Sequence, residues 1–138
     1  MRWSLLAIVL VAGCAASRHG ADPIRDVQPG EEFSLRIGER AQLVDARPVT
    51  FVFEHVLEDS RCALNVKCVW EGRASVVIRA AASGADHAGH SSVALTLDTR
   101  GNDATFDGRL RISLVKLEPE AAHPELDYWV TLRVDPVR

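Results

Sequence analysis

From Glu31 to the C-terminus, apolar and polar residues alternate in short runs separated by turn formers, and no sustained helical period appears. Successive side chains of a strand point to opposite faces of a sheet, so a period of two that recurs along the chain commits it to half-buried strands. Phe33, Leu35 and Ile37 alternate with Ser34 and Arg36 up to Gly38, and Ala41 to Ala46 form a second run that stops before Arg47-Pro48. From Val49, Phe51 and Phe53 share one face, and His55 falls in the same parity. Cys68, Trp70, Ala74, Val76, Ile78 and Ala80 also share a parity, which reads as one long strand with a bulge at Gly72 and with Trp70 packed against the disulfide or the core. Val93, Leu95 and Leu97 restart the pattern, and Leu110, Ile112 and Leu114 continue it until Val115 and Leu117 shift parity. In the last segment Leu126, Tyr128, Val130, Leu132 and Val134 face one way, while Asp127, Trp129, Thr131 and Arg133 face the other. About seven such runs predict an all-β fold, an antiparallel β-sandwich of the immunoglobulin-like or a similar kind. A small β-barrel is the alternative, because alternation fixes the buried face and not whether the sheet closes.

At 138 residues the chain has room for one domain. Its 25% of charged residues and net charge of -3 provide no basic stripe for a phosphate backbone, so nucleic acid is not an expected partner. The N-terminus differs from the rest. Arg2 precedes an unbroken apolar run from Leu5 to Ala12, about 12 Å long as a helix and far short of a bilayer core of about 30 Å. That pattern reads as a signal peptide. Val11-Ala12-Gly13-Cys14 resembles the lipobox of bacterial lipoproteins, which implies cleavage before Cys14 and lipidation of its thiol. Ala15 follows in place of the Asp that retains lipoproteins at the inner membrane, so the resemblance points to the periplasmic face of the outer membrane in a host with two membranes. The organisation expected is a signal peptide over 1–13, a lipidated cysteine and flexible tether over 14–30, and a single β-rich domain over 31–138.

With Cys14 assigned to the lipid, Cys62 and Cys68 remain as a pair in a chain bound for an oxidising compartment, and a disulfide follows. Closing a ring of about seven residues stabilises the fold by roughly 2.4 kcal/mol in the loop-entropy treatment. The C-x5-C spacing supplies too few ligands for zinc and is not the C-x-x-C of redox-active thiols.

The stretch Asp59-Ser60-Arg61-Cys62, followed by Cys68-Val69-Trp70-Glu71-Gly72, resembles a motif of a family of small bacterial lipoproteins, with Ala63 where a proline is usual. The likeness extends to the signal peptide and the Tyr-containing strand from Leu126 to Val134, and so covers most of the mature chain. It implies an exported β-rich domain with a disulfide-closed loop, and no particular activity.

Asp86, His87 and His90 form a cluster of metal-ligand type that would hold Zn2+ or Cu2+ if a further ligand came from elsewhere. A nucleophile paired with His55 is not expected, since a bonded cysteine cannot attack and no Gly-x-Ser-x-Gly elbow is present. No catalytic residue and no cofactor are assigned. Asp59 and Ser60 read as turn residues making local backbone hydrogen bonds, with Arg61 paired to Asp59 or Glu58. The functional alternative is that Asp59, Arg61 and Glu71 present a charged recognition loop, and the Cys62–Cys68 loop and Trp129, on the polar face of the last strand, are the expected contact surface. The function expected is a lipid-anchored cell-envelope β-domain, a non-enzymatic structural or protein-binding module whose partners are the membrane and another envelope protein. An envelope metal-binding protein is the alternative.

Overall fold

The alternation resolves into nine strands and, among the described residues, no helix. The computed structural model describes residues 23–82, 92–120 and 127–138. The strands are β1 (Arg25–Val27), β2 (Glu32–Arg36), β3 (Arg40–Leu43), β4 (Val49–Asp59), β5 (Ala74–Ala82), β6 (Ser92–Asp98), β7 (Ala104–Phe106), β8 (Leu110–Glu118) and β9 (Trp129–Pro136). They form two sheets, of order β1-β3-β4-β5-β6 and β2-β9-β8-β7. Every pairing is antiparallel except β1 with β3. Neither sheet closes on itself, so the fold is a sandwich and not the alternative barrel.

The inward parity of each strand meets that of the facing sheet. Phe33 and Leu35 of β2, Phe51 and Phe53 of β4, Ile78 of β5 and Ile112 of β8 are all buried. The rings of Phe33 and Phe51 lie 6.4 Å apart across the two layers, within the range in which tilted aromatic pairs add to simple burial. In β9, Val130, Leu132 and Val134 are fully enclosed, as its alternation predicts. On its outer face Thr131 shares a hydroxyl hydrogen bond of 2.9 Å with Ser34.

Four features depart from the sequence-based expectation. The sheet starts at Arg25, inside the stretch assigned to the tether, and Val27 is fully buried; three residues are too few to display a period. β7, likewise three residues long, escapes for the same reason. His55 is exposed, because a bulge between Phe53 and His55 inserts a residue and returns Val56 to the core side. The long strand expected from Cys68 begins only at Ala74. The parity shift read at Val115 does correspond to a bulge, between Leu114 and Lys116, which returns Leu117 to the core.

Strand directions define two ends. At one end lie the β2–β3 turn at Ile37 and Gly38, the β4–β5 loop over 60–73 and the β6–β7 turn over 99–103. Gly38 takes φ of +87°, open to glycine at no steric cost, and its N–H donates to the Phe53 carbonyl at 2.7 Å. At the opposite end lie the start of β4 and the C-terminus, with Ala82 and Ser92 flanking residues 83–91.

Candidate functional site

The β4–β5 loop is built from its neck outward. Where β4 ends, Ser60 N–H donates to the Arg73 carbonyl at 2.8 Å, and Arg73 N–H donates to Ser60 Oγ at 3.1 Å. Gly72 makes that closure possible: a Cβ there would sit 1.6 Å from the Ser60 carbonyl oxygen. This glycine is therefore not a bulge in a continuing strand but the point where two backbones touch. Further out, the Cys62–Cys68 disulfide closes the loop, with Cα atoms 5.9 Å apart, as the cysteine count predicts. Between the cysteines Val66 N–H donates to the Ala63 carbonyl, and Asn65 takes φ of +67°, a conformation that Asn tolerates better than most residues.

Below the neck, Asp59 ties the loop to the second sheet. Its Oδ1 accepts from Arg61 Nε at 2.9 Å and from Arg61 N–H at 3.1 Å; its Oδ2 accepts from Arg61 Nη2 at 2.7 Å and from the Tyr128 hydroxyl at 3.0 Å. Arg61 Nη1 donates onward to the Leu117 carbonyl of β8 at 3.1 Å. Burial pushes the Asp59 carboxyl up, but the hydrogen bonds from Arg61 and Tyr128, with the guanidinium charge, hold it below the usual carboxylate range. With side-chain exposures of 11% for Arg61 and 8% for Asp59, this pair is the turn pairing the sequence suggests, made into an internal strap, and not the alternative of an exposed recognition surface. The third charged candidate, Glu71, is exposed, and its carbonyl accepts from Arg100 at 2.6 Å.

What the loop presents is apolar. Leu64 is 65% exposed, Val66 58%, Val69 90% and Trp70 84%. Trp70 does not pack on the disulfide or the core, contrary to the sequence-based expectation. Its parity was extended backward from Ala74, yet the backbone leaves the sheet at Gly72, so parity has no meaning at residue 70. A cleft of about 720 Å3 lies between the loop's base and β8, with Arg61, Glu71, Arg100, Lys116 and Glu120 on its walls.

Trp129, the other proposed contact residue, opens β9 opposite Arg36 of β2, and the guanidinium lies 4.0 Å above its ring. This cation–π contact leaves the indole only 37% exposed. Asp86, His87 and His90 fall in 83–91, and Cys14 in 1–22, outside the described residues. Among the described residues no group of three or more His, Cys, Asp or Glu side chains is placed to hold a metal ion. The same residues contain no helix long and apolar enough to cross a membrane.

Sequence reasoning singled out this loop as a contact surface, but on its charges, and missed its apolar side chains. A signal was available: a ring of seven residues is too small to enclose a core, so apolar residues inside and just beyond it have little to pack against. Comparison with known proteins gives no match to a family model, to a curated protein or to a solved structure.

Proposed function

We propose that this chain is a lipid-anchored β-domain of the cell envelope, a non-enzymatic structural or protein-binding module that acts by contact, with the disulfide loop as its contact element. The observation that carries the contact role is the exposure of Val69 and Trp70, at 90% and 84%, on a loop fixed by a disulfide and a backbone-closed neck. Leaving two such side chains in water forgoes about 1.5–3 kcal/mol each. A rigid loop that holds them there spends little further conformational entropy when a contact forms. Anchoring is supported by the sequence from Leu5 to Cys14, and the outer-membrane address by Ala15 after the cysteine.

Cells expressing the full chain and its Cys14→Ser variant, fed labelled palmitate, test the anchor. Label is expected on the wild-type protein and its loss in the variant. An unlabelled wild type, or label that survives the substitution, contradicts it.

A further inference from the structure

We infer that the end of the sandwich carrying the disulfide loop faces the bilayer, and that Val69 and Trp70 enter the lipid interface beside the anchor. The inference rests on the lipid-anchor reading above and adds an orientation and an occupant for the loop.

Chain direction is the first support. β1 runs parallel to β3 with Arg25 opposite Ala41, and Ala41 lies opposite Phe51 of β4. Tracing β1 back toward Pro23 therefore leads along β4 in the direction of Asp59, toward the loop. The eight steps from Phe51 to Asp59 amount to about 26 Å at a strand's rise, somewhat less with two bulges. The nine steps from Cys14 to Pro23 span at most about 32 Å. A lipid on Cys14 is thus within reach of the plane of the loop, on the side toward which the chain leaves.

The distribution of exposed apolar side chains is the second support. Exposed apolar side chains occur at both ends, Val44, Val93 and Val137 among them at the far one, but the four on the loop include the two most exposed, Val69 and Trp70 at 90% and 84%, with Ile37 and Leu57 on the same side of the sandwich. Leu64, Val66, Val69 and Trp70 are 58–90% exposed around a ring of seven residues, so most of each side chain is open to a fluid interface. The loop's chemistry agrees: Trp prefers the boundary between headgroups and acyl chains. Lys67, exposed between Val66 and Val69, supplies a cation for anionic headgroups.

The test uses the full lipoprotein reconstituted into vesicles of phosphatidylethanolamine and phosphatidylglycerol with brominated acyl chains. After cleavage before Cys14 the chain retains two tryptophans, so a Trp129→Phe variant reports Trp70 and a Trp70→Phe variant reports Trp129. Trp70 emission is expected to fall by half or more relative to unbrominated vesicles, with Trp129 much less affected. The mass of the N-terminal peptide reads lipidation separately: a chain without acyl groups overturns the anchor reading and with it this orientation. An acylated chain whose Trp70 is quenched no more than Trp129 overturns the bilayer contact alone. If a photo-crosslinker at position 70 then captures an envelope protein in cells, the loop's occupant is that protein and the inference is replaced.

Discussion

Asp59 carries more of this structure than any other charged residue, because one carboxylate receives four hydrogen bonds from the guanidinium, an amide and a phenol, and so links β4 to β8 and to Tyr128. Removing one partner of a nearly enclosed pair leaves the other charge poorly solvated, so Asp59→Asn is expected to cost about 3 kcal/mol, read by denaturant unfolding. Tyr128→Phe, which deletes the hydroxyl's hydrogen bond to Asp59, is expected to cost about 1 kcal/mol. The same pairing makes stability depend on pH. The folded pKa of Asp59 lies below its unfolded value of about 3.9, so the contribution is full above that value and is lost as pH falls through the lower folded one. Wild-type stability should therefore fall with acid more steeply than that of Asp59→Asn, and parallel acid profiles would contradict the strap. From sequence, Asp59 and Arg61 were legible only as a turn pair or a charged surface. Nothing local indicates that Leu117 and Tyr128, more than fifty residues away, complete their hydrogen bonds.

At the level of elements, the sheet strands declare themselves wherever alternation lasts five residues or more, as in β2, β8 and β9. They go unseen where three residues suffice because tertiary pairing supplies the rest, as in β1 and β7. The loop shows the opposite failure, since Cys68 and Trp70 keep the parity of β5 while the backbone has already left the sheet. Gly72 marks the departure, and its role is steric. Gly72→Ala is expected to destabilise the domain by on the order of 3 kcal/mol, since the new Cβ would meet the Ser60 carbonyl and one of the two backbones has to move. Gly101→Ala is the control: at φ of +91° with open space around it, that glycine should cost about 1 kcal/mol from backbone strain alone. Equal losses at the two positions would mean that the neck of the loop is not closed as described.

Considered as a whole, the molecule separates its stability from its surface chemistry. Its core lies between the two sheets, while the most exposed of its large apolar side chains, Val69 and Trp70, stand on a loop that contributes no residue to that core. Ala82 and Ser92, which flank residues 83–91, lie at the end of the sandwich opposite the disulfide loop. The contact role of the loop depends on Trp70 standing outside the fold. Acrylamide quenching of the folded protein reads that exposure, with the Trp129→Phe and Trp70→Phe variants reporting each indole in turn. Trp70 should emit as a solvated indole and be quenched almost as readily as in the unfolded chain, and more strongly than Trp129 beneath Arg36. A blue-shifted, protected Trp70 would place the indole in the core and contradict the account.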